Sequence, residues 1–220
     1  YKAHFAVEPD SGLVTSCELT PGDVTDGAAA VALLEGEPPG LEVYADSAYG
    51  SGETRVEIRR RGHDAVIKPI PLRGGTAGGF DRDDFVIDHH ARTATCPAGH
   101  TVHITARGHA EFGIRCRGCP LRQRCTRAKD GKSLHIREHD DELVYGRQAW
   151  HDPILHHHYR QHRPMVERSI AWFVARGHRK VRYRGTERNR IWLAHRAAAV
   201  NLQRLLNLGL HHNGNWHLAT

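Results

Sequence analysis

The sequence predicts an α/β domain interrupted by a small cysteine-rich insertion. Three observations predict it. Residues 1–72 alternate short apolar runs with helical segments, in the order strand, strand, helix, strand, helix, strand. Residues 73–150 lose that rhythm and hold four of the five cysteines. Residues 151–210 are helical by period and by capping signals. The stretch 211–220 has no period and reads as a flexible tail.

Each element has a local cause. Tyr1, Ala3, Phe5 and Val7 fall on one face of a first strand, with Lys2 and His4 on the other. Pro9-Asp10-Ser11-Gly12 supplies turn chemistry, and Leu13 to Leu19 returns antiparallel. Asp26 is expected to cap a short helix through Leu34, ended by Gly36 and Pro38-Pro39-Gly40. Leu41 to Ala45 is a short buried strand with Asp46 at its carboxyl end. Gly52 to Arg61 reads as a helix stopped at Gly62, and Ala65-Val66-Ile67 as the next strand.

In the insertion, Gly74-Gly75 and Gly78-Gly79 mark a loop, and Phe85-Val86-Ile87 and Val102-His103-Ile104 short strands; no long helical period is visible. In the last third, Asp152 caps a helix with Pro153 at its first position. Pro164 disfavours helical geometry at Arg163, so that helix is expected to stop near His162 and a second to open at Pro164. Val166, Ile170, Phe173 and Val174 form the apolar stripe of the second, which Gly177 ends. Thr186 is expected to cap a long helix with Ile191, Ala194, Ala198, Leu202, Leu205 and Leu206 along one face.

Hydrophobic residues are 39% and charged residues 25% of the 220, enough for a buried core and against wholesale disorder. No run reaches the roughly 18–20 apolar residues that span a bilayer, and no basic-then-apolar leader points to secretion. The chain opens at Tyr1 inside an alternating run and reads as a fragment or a trimmed gene product. Charge is uneven. The first 110 residues carry 10 Lys and Arg against 16 Asp and Glu, and the last 110 carry 21 against 9. Such an excess suits a polyanion, because phosphate contacts release condensed counterions. A solvated basic face is the plainer alternative.

Two carboxylates stand out. Asp46 follows a buried strand, where a charge is costly unless it meets water, a partner or a metal. The crevice at strand carboxyl ends is where open α/β sheets bind ligands. Glu167 lies in Arg163-Pro164-Met165-Val166-Glu167-Arg168, one acid among arginines. It is an ion-pair partner or an acid held in a basic surface for phosphoryl chemistry, where Mg²⁺ takes one or two carboxylates plus substrate phosphate.

Cys116-Arg117-Gly118-Cys119 is a tight thiolate pair of the zinc-knuckle kind, and Cys96 and Cys125 complete a tetrahedral set. Pro97-Ala98-Gly99 turns the chain after Cys96, and His100 is a substitute ligand. Free thiols and disulfides stay open as alternatives. Cys17, alone in an apolar run, reads as a small core residue. The runs His89-His90 and His156-His157-His158 read as solvated, and Asp83-Asp84 and Asp140-Asp141 as loop and cap residues. The glycine-rich loop lacks a phosphate-loop Lys-Ser/Thr, which argues against nucleotide binding.

These pieces, in order, resemble the DDE transposases of bacterial insertion sequences. The matching segments are Tyr1-Lys2-Ala3-His4, Leu19-Thr20-Pro21-Gly22-Asp23 with Asp26, Ala45-Asp46-Ser47-Ala48-Tyr49, Arg163 to Arg168, Cys116 to Cys125, and Asn201-Leu202-Gln203-Arg204-Leu205-Leu206. The resemblance implies a ribonuclease-H-like mixed sheet with flanking helices, lacking its first strand and interrupted by the cysteine insertion. Three antiparallel strands precede the first helix in that fold, and two are visible here. The family's first catalytic Asp is expected on the strand upstream of Tyr1, so this chain alone is expected to be inactive. The second acid carries over to Asp46 and the third to Glu167. Arg163 matches an Arg of some relatives, Tyr159 a Tyr with a one-residue offset, and the relatives' Lys position falls on Val174.

The implied activity is Mg²⁺- or Mn²⁺-dependent phosphodiester cleavage and strand transfer at insertion-sequence ends, with two metals about 3.5–4 Å apart across the scissile phosphate. Arg163 and Arg168 are expected to clamp phosphates, and Arg179, Lys180, Arg182 and Arg184 to track a DNA backbone. Implied partners are double-stranded DNA, at transposon ends and target, and a second copy in a homodimer. No membrane is implied; the expected location is the bacterial cytoplasm at the nucleoid. The competing reading is a catalytically inactive remnant, or a DNA-binding module with a structural zinc site.

Overall fold

The computed structural model describes residues 1–72 and 74–218; Arg73, the expected first residue of the insertion, and the last two residues of the expected tail lie outside the described residues. The chain forms two compact units, one from Tyr1–Pro69 with Gly146–Thr220 and one from Ile70–Tyr145. The described residues are mixed α/β, with short strands in small sheets and six α-helices.

The first unit begins with an antiparallel hairpin, β1 (Lys2–Val7) and β2 (Val14–Thr20), in which Ala3 faces Leu19 and Phe5 faces Cys17. In its turn Glu8 accepts from the amides of Asp10 and Ser11. Gly12 has φ +73°, and a Cβ there would lie 2.9 Å from Met165 Sδ, so only glycine lets the turn come this close. The alternation of β1 differs from expectation. His4, placed on the outward face, is buried, because its ring nitrogens meet Thr20 Oγ1 and the Tyr49 hydroxyl; Ala3 is exposed. Phe5 packs on Phe173 with ring centroids 5.1 Å apart.

Helix α1 (Asp26–Leu33) is preceded by Thr25, so Asp26 is not the cap. It lies in the first turn and takes an ion pair from Lys2 at 2.9 Å. Strand β3 (Glu42–Ala45) follows. Ser51 Oγ caps α2 (Gly52–Arg60) by accepting from Thr54 N–H. A Cβ at Gly27 would fall 2.1 Å from Thr54 Oγ1, so glycine lets α1 approach α2. Strand β4 (Asp64–Ile67) runs parallel to β3, over a core of Leu34, Ile58 and Ile67. In place of the single mixed sheet expected, the structure has two separate ladders, β1–β2 and β3–β4.

The second unit has an antiparallel sheet of β5 (Val86–Asp88), β6 (Thr93–Thr95) and β7 (Thr101–His103). Strand β8 (His109–Glu111) pairs with β9 (Ser133–His135), and between them lies the short helix α3 (Arg122–Cys125). Phe85, Ala94, Ile104, Ala110, Phe112 and Leu134 make its core. Helix α4 (Asp140–Ala149), not expected from the period, opens at its end. Asp140, expected as a loop or cap residue, sits in the first turn of α4, buried and paired with Arg82.

In the first unit again, α5 (Pro153–Ala175) is one helix of 23 residues with Pro164 inside it, where two helices were expected. A proline in a helix interior costs about 3 kcal/mol. Arg160, whose carbonyl loses the missing N–H, is exposed and open to water. Ser169 bonding Gly12 C=O and buried Phe173 hold the second half in register. Helix α6 (Thr186–Asn207) starts after Gly185, and the expected Thr186 cap is not formed. Its inward face is Asn189, Trp192, Leu193, Ala197 and Val200, whereas Ile191, Leu202 and Leu206 of the expected stripe are exposed. Polar anchors set this rotation: Asn189 accepts from Tyr183 N–H and donates to Tyr183 and Gly185 carbonyls, and Asn201 brackets both backbone groups of Val14. Residues expected as an irregular tail include a small ladder, β10 (His211–His212) with β11 (Trp216–His217). No helix among the described residues is long and apolar enough to cross a membrane.

Candidate active site

Asp46 sits where β3 ends. Its Oδ1 accepts the Ala48 amide at 2.9 Å and opens a single 3-10 turn over Ser47–Tyr49. That bond fixes the carboxylate at the strand's end with Oδ2 turned toward α5. There Arg163 donates Nη2 to Oδ2 at 3.1 Å. Asp46 is 46% exposed and Arg163 only 15%, so the acid meets water while the base is largely enclosed. Arg163 Nε is buried and has no hydrogen-bond partner.

Tyr159, Arg163 and Glu167 are spaced by four along α5, so they stand above one another on one stripe. The Tyr159 hydroxyl pKa is raised. Burial is the main cause; Arg163 opposes it by charge and hydrogen bonding, and Asp46 and Glu167 add to it. Asp46 meets this stripe at Arg163. Glu167 is exposed.

A polar group backs Asp46. The Tyr49 hydroxyl bonds His4 Nδ1 at 2.9 Å, and His4 Nε2 bonds Thr20 Oγ1 at 3.0 Å. Burial, with Asp26 and Asp46 nearby, pushes the Tyr49 hydroxyl up to about 12. Burial lowers His4 below 6.5, partly opposed by Asp26. Tyr49 and His4 are thus neutral props near neutral pH. Sequence reading gave neither a role. The four-residue spacing of Tyr159, Arg163 and Glu167 was a usable signal, but the expected break at Pro164 hid it.

The expected phosphate clamps divide. Arg163 is engaged with Asp46, whereas Arg168 is exposed beside Glu167. Arg179, Lys180, Arg182 and Arg184 are all exposed on the non-helical link between α5 and α6, with Val181 and Tyr183 also outward. Exposed cations of this kind can contact phosphate oxygens without reading a base sequence.

In the second unit Cys96, Cys116, Cys119 and Cys125 line one small enclosed cavity, with His100 at its border. Gly99, after Cys96, and Gly118, between Cys116 and Cys119, adopt φ +81° and +72°, and Lys132 N–H lies 3.4 Å from Cys116 Sγ. Burial raises the Cys125 thiol pKa; Lys132 opposes it and the other three thiols add to it. All five cysteines are free thiols, and Cys17 packs against the Leu19–Phe173 core of the first unit. Among the described residues no group of three His, Cys, Asp or Glu side chains converges closely enough to hold a metal. That holds for the cysteines as for Asp46 and Glu167, which supply two acids and not three.

A family model described as a transposase DDE domain matches residues 95–206, just over half of the chain, taking in Glu167 and the four clustered cysteines but not Asp46. No curated protein matches the chain, and no solved structure does.

Proposed function

Because the chain belongs to the transposase DDE-domain family, we propose that it is the catalytic part of an insertion-sequence transposase, cutting and rejoining DNA phosphodiesters at the element's ends. The family acts on DNA by nucleotidyl transfer and uses divalent ions such as Mg²⁺. The observation that carries the finer reading is the meeting of Asp46 with the Tyr159–Arg163–Glu167 stripe. Asp46 and Glu167 would hold the metal; both are water-accessible carboxylates and fit a hard cation. A bound metal supplies charge stabilisation at the phosphate and a more acidic water.

The protein's own groups do the rest. The Ala48 amide fixes the Asp46 carboxylate, and Tyr49 and His4 hold its turn from behind. Arg163, now on Asp46, is placed to transfer its fork to a phosphate oxygen once the acid takes another cation. Arg168 and the Arg179–Arg184 segment hold the duplex through its backbone. A ribonuclease-H-like sheet, a third carboxylate on a strand leading into Tyr1, and action as a homodimer belong to the same proposal.

One observation favours the competing reading, a DNA-binding module without catalysis: the Asp46 charge is already balanced by Arg163. The test uses the polypeptide that includes the chain leading into Tyr1. Mg²⁺-dependent nicking of DNA bearing the element's ends is assayed beside Asp46→Asn and Glu167→Gln. Loss of nicking in both, with duplex binding in EDTA unchanged, is expected. Nicking at the parent rate by Glu167→Gln makes Glu167 a structural ion-pair residue and removes it from the mechanism.

A further inference from the structure

Helix α6 carries Arg188, Ile191, Trp192, His195 and Arg196 at helical spacing, so they stand on one stripe. With Tyr183 of the link ahead of it they border a groove of about 500 Å³, in the size range of a small-ligand site. Three of the six carry flat rings, two are arginines, and no acid borders the groove among the described residues.

The rings are placed differently. Trp192 forms the floor: it is buried, with edge contacts to Phe173 and His178 at centroid distances of 6.2 and 5.6 Å. Tyr183 has a fixed backbone and an open ring. Asn189, fully buried, accepts its N–H at 2.9 Å and donates to its C=O at 2.6 Å, yet the residue stays 44% exposed. Fixing a main chain costs conformational entropy, and here it presents an aromatic face to water instead of burying one.

The arginines of α6 divide in a matching way. Arg190 pairs with Glu18 at 2.5 Å and Arg204 donates to Ser11 C=O, so both hold the helix on the hairpin. Arg188 and Arg196, which border the groove, have no acid or carbonyl partner among the described residues. They lie about two turns, roughly 12 Å, apart along the helix. An open aromatic face beside two unpaired guanidinium groups suits a ligand with a flat ring on an anionic backbone. A duplex keeps its bases stacked inside and offers phosphates alone, whereas a single strand offers both.

We propose that this groove binds an unpaired nucleotide of a single-stranded nucleic acid, its base against the Tyr183 ring and its flanking phosphates on Arg188 and Arg196. Such stacking tolerates any base, because every base has a flat face. The proposal deepens the DNA reading above by adding a single-stranded substrate, but it rests on the groove and needs neither Asp46 nor a metal.

The test uses the 220-residue chain in EDTA, so that no cleavage enters. Anisotropy titrations at several salt concentrations compare a short oligothymidylate, a strand of equal length without bases, and a duplex of equal length. The parent should bind oligothymidylate about tenfold tighter than the abasic strand. Tyr183→Leu should weaken oligothymidylate binding about tenfold and leave its salt slope and the duplex affinity unchanged, and Tyr183→Phe, which keeps the face, should bind as the parent does. Arg188→Gln should instead reduce the single-strand salt slope by about 0.7. Equal binding of abasic and oligothymidylate strands overturns the proposal without any change to the protein, and decides the matter should Tyr183→Leu not fold. Absence of single-strand binding overturns it too. So does a folded Tyr183→Leu that binds oligothymidylate like the parent, or one that loses strand and duplex alike, because the face then serves the duplex backbone. Failure of the nicking assay leaves all these results standing, so the two readings fail separately.

Discussion

Asn201→Ala should destabilise the first unit measurably. Asn201, on α6, donates to Val14 C=O at 2.7 Å and accepts from Val14 N–H at 2.8 Å, closing a two-bond bracket across 187 positions. Val14 opens β2 and is half-buried, so alanine leaves one backbone donor and one acceptor poorly served. A hydrogen bond contributes about 0.5–1.5 kcal/mol net, and an unsatisfied buried group costs about 1–3 kcal/mol. With water reaching part of the site, the lower ends apply to the two groups, and the loss is about 1–2 kcal/mol. For a body of this size that is a Tm fall of roughly 2–8 °C. All four tryptophans, Trp150, Trp172, Trp192 and Trp216, belong to this unit, so thermal unfolding followed by their fluorescence reports it without the insertion. Asn201→Asp keeps an acceptor for Val14 N–H but sets a charge against Val14 C=O, and should also unfold earlier. A Tm shift under about 1 °C in the alanine variant would show that the bracket is an incidental contact and that apolar burial alone holds α6 on β2.

Three further outcomes follow from the site and the insertion. His4 is lowered below 6.5 in the folded state, so as pH falls below 6.5 the unfolded chain takes a proton that the native one resists, and stability drops. Chemical denaturation between pH 7.5 and 5 should show a shallower acid decline for His4→Gln than for the parent; equal slopes refute the buried, neutral His4. Removing one charge from the Arg179–Arg184 segment, as in Arg182→Ala, should reduce the salt slope of duplex binding by about one unit whatever the DNA sequence, and an unchanged slope would place that segment off the DNA. If the cysteine cavity binds zinc, elemental analysis should find about one per chain, lost in Cys119→Ser; a metal-free protein with an intact second unit rejects the site.

Much of the backbone plan was legible because it depends on near neighbours. Turn residues at Pro9–Gly12, the helix stop at Gly62 and the run Leu41–Ala45 act over a few positions, and the elements formed close to where those signals stand. The misreadings have a common cause. Pro164 was read as a break from local sterics, but contacts with Gly12 and the β1–β2 core carry α5 through it. The apolar spacing Ile191–Leu202 was a sound helical stripe on the wrong face, because Asn189 and Asn201 found backbone partners that periodicity does not see.

By itself the sequence determined the chemistry on offer: two acids within a basic surface, a set of four clustered cysteines and a cationic link between helices. Residue type and short spacing are enough for that. Only the tertiary structure decided which groups meet. It set Arg163 on Asp46 across 117 positions and tied His4 to Tyr49 across 45. Such meetings depend on how helices and ladders pack, and packing is set by the summed burial and hydrogen bonding of distant segments, which no local run of residues encodes.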